Sequence, residues 1–201
     1  MKNHIHAKLR NVGEQGHFPD SVVDAVAQTA PADARLAVDA GAHMFSAMTR
    51  WPASRPFDVL KSNGLSSMGF AVPAALASWL EQPEYHAIAL TGDGGMMMCL
   101  AELSTAAQLQ ANVTVVVLND AALSLIDIKQ QYQQIPRLGV RYKKTDFATT
   151  ARGMGCSAWT VGPQDQLDIA LLQAFASEGP TLIDVTVDPS GYYDQFIALR
   201  H

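Results

Sequence analysis

Only two cysteines, Cys99 and Cys156, occur in the 201 residues. Two thiols cannot build a disulfide framework, and both lie in apolar stretches, which favours buried free thiols in a reducing cytoplasm. Charge is scarce at 16% of residues, and the net value of −5 arises without an acidic block or a basic stripe. A chain with no basic face has little means of holding a nucleic-acid backbone. No apolar run approaches the roughly 20 residues of a membrane helix, and no charged-then-apolar leader opens the chain. Internal repeats and low-complexity segments are absent. So are a G-x-G-x-x-G turn after the first strand and a P-loop lysine, which argues against a generic nucleotide-binding doubly wound domain.

What is present is a chain 48% apolar, long enough to bury a core as one domain. Residues 1–19 lack periodicity and are expected to form a tail or linker before a domain over 20–201; the His4-x-His6 pair there is expected to be solvated. Ser21 and Asp24 resemble a capping box for a helix that stops before Pro31. Strand and helix signals then alternate. Strands are predicted at 35–39, 56–61, 87–91, 113–119, 157–161 and 181–187. Helices are predicted at 41–50, 66–80, 96–110, 121–133, 145–153 and 164–177, with Pro73 kinking the second or shifting its start. Regular alternation with continuous apolar strands predicts an α/β three-layer sandwich, a mostly parallel sheet covered by helices on both faces. The Gln-rich, then cationic stretch 130–145 (Arg137, Arg141, Lys143, Lys144) is expected to be a surface loop, with a mobile cover over an anionic ligand as its functional reading.

The chemistry-bearing feature is a pair of strand ends. Gly92-Asp93-Gly94-Gly95 follows the apolar run 87–91, and Asn119-Asp120 follows 113–118. One helical segment separates them, so a right-handed parallel unit brings both carboxylates out at the same sheet edge. The glycines allow unusual backbone angles and close approach. Asp93 cannot serve a phosphate directly, because both are negative; Mg²⁺ between them resolves the conflict, since it is held by one or two carboxylates plus phosphate oxygens. Each element alone has an ordinary explanation, a turn for the first and a helix N-cap for the second. Met96-Met97-Met98 is expected to be core beneath the loop.

Gly-Asp-Gly, 24 intervening residues (95–118) and then Asn119-Asp120 resemble the thiamine-diphosphate motif of acetolactate synthases, 2-oxo acid decarboxylases and their relatives. Three further stretches resemble the same diphosphate-binding domain: Asp39-Ala40-Gly41-Ala42-His43, the run from Asn63 to Ala75, and Gly179 to Tyr192. The resemblance implies thiamine diphosphate and Mg²⁺ as cofactors. It assigns the metal to the side chains of Asp93 and Asp120 and the carbonyl of Ala122, with Asn119 orienting the loop. Gly92 and Gly41 would form the turns against the diphosphate; Gly94, Gly95, His43 and Ser124 would donate to it. Met68 would bend the cofactor into a V, and the Ser66 carbonyl would accept from its pyrimidine amino group. Such positioning replaces a large entropic cost, and the implied reaction is decarboxylation or carboligation of a small 2-oxo acid.

Two positions depart from the pattern. Asp120 stands where many members have Asn, which should make cofactor affinity more pH-sensitive. Ala42 removes a polar residue often seen in acetolactate synthases. In the family, the glutamate that activates the pyrimidine comes from another domain; Glu102, on the helix after the metal loop, points the wrong way. The chain is therefore expected to be the C-terminal third of a longer enzyme or one subunit of a split one, inactive alone. Its partner would be a pyrimidine-binding domain, and exposed apolar surface would make it homo- or hetero-oligomeric. A non-catalytic assembly module that keeps the fold is the competing reading.

Overall fold

A computed structural model describes residues 15–199; the His4-x-His6 pair and the rest of 1–14 lie outside the described residues. Six strands form one parallel sheet: β1 (Arg35–Val38), β2 (Val59–Lys61), β3 (Ala87–Gly92), β4 (Val113–Asn119), β5 (Ser157–Val161) and β6 (Thr181–Thr186). Their order is β2-β1-β3-β4-β6-β5. The chain steps outward from β1 to β2 and returns to the other side of β1 with β3, so the strand order reverses between β1 and β3. In open α/β sheets ligands bind outside the carboxyl ends of strands at such a reversal.

Alternation along the strands divides the core between two faces. Leu36, Val38, Ile88, Leu90, Val116, Leu118, Ile183 and Val185 pack beneath α1 (Pro19–Thr29), α2 (His43–Arg50) and α8 (Leu167–Ala176). Ala37, Ala89, Val115, Val117 and Leu182 face α3 (Ala71–Glu81), α4 (Asp93–Cys99), α5 (Glu102–Leu109) and α7 (Phe147–Gly153). The architecture is the three-layer α/β arrangement expected from the continuous apolar strands. Cys99 and Cys156 are buried free thiols, as their contexts implied.

Several boundaries differ, each for a local reason. Helix α1 starts at Pro19, not at Ser21: proline's fixed φ suits the first helical position, and the Ser21 hydroxyl donates to the Phe18 carbonyl instead of capping. Asp24 pairs with Arg50 and ties α1 to α2. Strand β2 begins only at Val59, because Phe57 has a φ of +68°. Pro73 falls in the first turn of α3, where its missing N–H leaves no helical bond unmade, so 66–70 stay outside the helix. The segment expected as one helix over 96–110 is two, α4 starting already at Asp93 and α5 at Glu102. Leu100 and Ala101 between them keep helical dihedrals, but Leu103 and Ser104 donate three residues back.

A ninth helix among the described residues, α9 (Tyr192–Ala198), lies beyond the predicted elements; it packs Tyr192 and Phe196 on Ile128 of α6 (Ser124–Tyr132). Before α1, His17 bridges Val187 beyond β6.

Candidate functional site

A cavity of about 160 Å³ opens at the carboxyl ends of β1, β3 and β4. It gathers every residue assigned to the metal or cofactor: Gly41 and His43 after β1, Ser66 and Met68 before α3, Gly92 through Gly95 after β3, and Asp120, Ala122 and Ser124 after β4. Glu102 is not among its lining residues.

Asp93 is the first residue of α4 and is buried. Its Oδ1 accepts from Gly94 N at 2.7 Å and from the Tyr142 hydroxyl at 2.8 Å, and its Oδ2 accepts from Ala122 N at 3.2 Å. The Gly94 N–H is thus engaged by Asp93. Burial raises the Asp93 carboxyl above its ordinary value, against these donors, which lower it. Asp120 hydrogen-bonds the Ser124 hydroxyl. Burial, aided by the negative charge of Asp93, pushes Asp120 up to about 7 against the Ser124 bond. Two neighbouring buried carboxyls, each raised by burial, ionise together only with a counter-charge. Among the described residues, no set of three or more His, Cys, Asp or Glu could hold a metal; Asp93 and Asp120 are the two carboxylates that line the cavity.

A stability test follows from Asp120. Its folded pKa of about 7 lies above the ordinary 3.8, so the folded state favours the protonated form. The resulting stabilisation is complete below about pH 4 and disappears as pH rises towards 7. In chelator, Asp120→Asn should therefore raise stability more at pH 8 than at pH 5, by on the order of 2 kcal/mol. Equal gains at both pH values in urea titrations would show that Asp120 titrates normally.

The glycines serve packing rather than unusual backbone angles: none from Gly92 to Gly95 has positive φ. A Cβ on Gly41 or Gly92 would meet the His43 ring at 2.5 or 3.1 Å. One on Gly94 would meet Leu123 at 2.6 Å and Met68 at 3.1 Å, and one on Gly95 would lie 2.0 Å from Asp39 Oδ2. His43 is buried, its Nε2 has no partner, and burial lowers its pKa to about 4, against the pull of Asp39. A buried, unpartnered ring nitrogen beside two glycines is a ready contact for an anionic group.

In the stretch 130–145, two of the four cations considered above for an anionic ligand are engaged. Arg137 and Arg141 both pair with Asp127 and do not stand free to meet an anion. Leu123 N donates to Val140 O and Tyr142 N to Ala121 O, which pins the loop along residues 121–123. Ala121 has a φ of +57°, uncommon for a residue with a Cβ, and this delays α6 to Ser124. Asn119 is buried and donates to Thr145 O and Asp184 Oδ1, fixing the far end of the same loop. Tyr142, which reaches Asp93 from this loop, carries no sequence motif; Asp39 stands in the stretch that resembles the diphosphate turn, but the motif assigns it no role. Met96 is core, whereas Met97 and Met98 are exposed and not packed beneath the loop.

The family profile described as "Thiamine pyrophosphate enzyme, C-terminal TPP binding domain" matches residues 39–185. The chain belongs to this family. It is 30% identical over 169 residues to acetolactate synthase isozyme 1 large subunit of Escherichia coli (strain K12), covering 83% of this chain and 30% of that protein. It is 33% identical over 179 residues to the acetolactate synthase large subunit of Haemophilus influenzae, covering 86% and 30%. Among solved structures, a thiamine diphosphate-dependent 4-hydroxybenzoylformate decarboxylase of Rhodococcus jostii RHA1 superposes with a TM-score of 0.81 at 25% identity, over 89% of this chain and 34% of that one. This thiamine pyrophosphate-binding domain therefore spans about a third of the length of the relatives it matches. Among its described residues no helix is long and apolar enough to cross a membrane.

Proposed function

We propose that this chain, through residues 20–201, is the thiamine diphosphate- and Mg²⁺-binding part of an enzyme that decarboxylates or joins small 2-oxo acids. The observation that carries this reading is the convergence of Asp93 and Asp120 on one cavity with the unpartnered His43 Nε2 and the glycine-lined wall. That donor set fits a hard cation joined to an anion. Asp93 and Asp120 hold the metal through their side chains, and Ala122 holds it through its carbonyl. Gly95 donates to the diphosphate, and Ser124 does so by turning its hydroxyl from Asp120 once the cation holds that carboxylate. His43 donates from Nε2, because an anion beside it favours the protonated ring. Met68, whose methyl group lies against Gly94, supports the bend between the cofactor's rings, and the Ser66 carbonyl accepts from the pyrimidine. Bound thiamine diphosphate supplies a nucleophilic carbon and an electron sink; this chain orients it and excludes water from it.

We further propose that a pyrimidine-binding domain or subunit completes the site and provides the activating glutamate, so that the isolated chain is inactive and assembles as a homo- or hetero-oligomer. Three observations support this. The relatives are about three times the matched length. The cavity's volume of about 160 Å³ is below the ~300–1,000 Å³ of pockets that bury a ligand of this size. Leu65 beside Ser66, and Met97 and Met98 on α4, leave apolar surface exposed near it.

Titration calorimetry tests the core of the reading. Thiamine diphosphate should bind only with Mg²⁺ present, and chelator should abolish the heat. Displacement of nothing by thiamine diphosphate, together with saturable NAD or ATP binding, would sink it.

A further inference from the structure

Asp39 is fully buried at the carboxyl end of β1, yet among the described residues it takes part in no ion pair. Four donors converge on it instead. Oδ1 accepts from Ala40 N at 3.0 Å and Phe70 N at 3.1 Å; Oδ2 accepts from Gly69 N at 3.0 Å and Thr91 Oγ1 at 2.8 Å. A carboxylate in the interior is costly unless hydrogen bonds compensate it, and here the compensation comes from separate segments of the cavity wall. Ala40 leads into the Gly41–His43 turn, Thr91 precedes Gly92, and Gly69 and Phe70 directly follow Met68. Gly95 is the fourth neighbour, lacking a Cβ where Asp39 Oδ2 sits 2.0 Å from its ideal position.

The 66–70 segment has little else to hold it. It lies outside regular structure, Ser66 has a φ of +50° and Gly69 a φ of +76°, and Ser66 and Ser67 are exposed. Ser66 and Ser67 otherwise bond Ser62, at 3.4 Å, and the Phe70 carbonyl accepts from Ala74 N at 3.0 Å where α3 begins. The strained backbone persists because its end is fastened to Asp39.

We propose that Asp39 is a positioning residue for the Ser66–Met68 segment: it touches no ligand, but sets where the ring-bearing part of thiamine diphosphate is received relative to the metal loop. This rests on the functional reading above. Asn at position 39 keeps the shape and removes the logic, because its amide group can accept on one side only and presents N–H to N–H on the other. Either Gly69 or Phe70 loses its acceptor and the segment is released. At the diphosphate end two effects oppose one another: removing a buried negative charge near an anion weakens repulsion, and it also withdraws the charge that favours a protonated His43.

The experiment compares two ligands in the full chain, Mg²⁺–thiamine diphosphate and Mg²⁺–inorganic diphosphate, for parent and Asp39→Asn. The parent should prefer thiamine diphosphate. The variant should lose that preference by roughly tenfold to 100-fold, the scale of a ~1 Å misplacement, with thiamine diphosphate weakened far more than inorganic diphosphate. A parent that binds neither ligand overturns the functional reading. A parent without preference, a variant that keeps it, or a variant that loses both ligands equally overturns the positioning role alone. If the variant fails to fold, hydrogen exchange on the parent decides: Gly69 and Phe70 amides should be protected, and exchange as fast as that of the exposed Leu65 amide refutes the clamp.

Discussion

Replacing Asp93 by alanine is expected to weaken binding of Mg²⁺–thiamine diphosphate by roughly 100-fold or more. Substitutions that merely orient a metal ligand cost about 10–100-fold, and Asp93 is in the proposed reading a ligand itself. The apo protein should tolerate the change. The carboxyl is already disfavoured by burial, so its removal relieves a desolvated charge while freeing three donors, Gly94 N, Ala122 N and the Tyr142 hydroxyl. These opposing contributions are each on the order of 1–3 kcal/mol and leave the melting temperature near that of the parent. Calorimetry and thermal melting on one preparation separate the two effects. Unchanged affinity in a folded variant would remove the cation from this loop.

Adding a single methyl group at Gly95 should have the largest effect on folding. The new Cβ would lie 2.0 Å from Asp39 Oδ2 and 2.7 Å from Thr91 Oγ1. A flexible side-chain end could swing clear, but this carboxylate is fastened by four donors, and moving it breaks bonds to Gly69 N and Thr91 Oγ1. Overpacking of about 1–3 kcal/mol plus two buried hydrogen bonds at about 1 kcal/mol each gives about 3–5 kcal/mol. That is a large share of the ~5–15 kcal/mol that holds a domain folded. Gly94→Ala is the control, because its Cβ would meet the mobile ends of Leu123 and Met68 and should cost about 1–2 kcal/mol. Urea midpoints for the two variants that coincide would show that Asp39 is not held in place.

How far such a site can be read without coordinates depends on the distance over which each contact is specified. The runs Ala87–Gly92 and Val113–Asn119 are buried strands at nearly their expected bounds, because apolar continuity and flanking turns are local signals. Parallel pairing with a right-handed crossover then leaves one arrangement for their ends, which is why Asp93 and Asp120 could be paired by spacing alone. Helix ends were less legible. Pro19 opens α1 where Ser21 had looked like the cap, and α6 waits for Ser124 because Ala121 takes positive φ.

The sequence by itself determined the layered α/β class, the strand cores, the facing strand-end carboxylates and the residues that meet at one cavity. The class, the strand cores and the facing carboxylates follow from hydrophobic period and chain order, which neighbouring residues encode; the other cavity residues came from the resemblance to thiamine-diphosphate enzymes. Only the tertiary structure decided that Tyr142 reaches Asp93 across 49 positions, that Asp39 gathers donors from Thr91, Gly69 and Phe70, and that Arg137 and Arg141 answer Asp127. Each of these is a polar contact of a few ångströms between distant segments. Its existence depends on how crossovers stack on the sheet, and no local pattern of the chain carries that information.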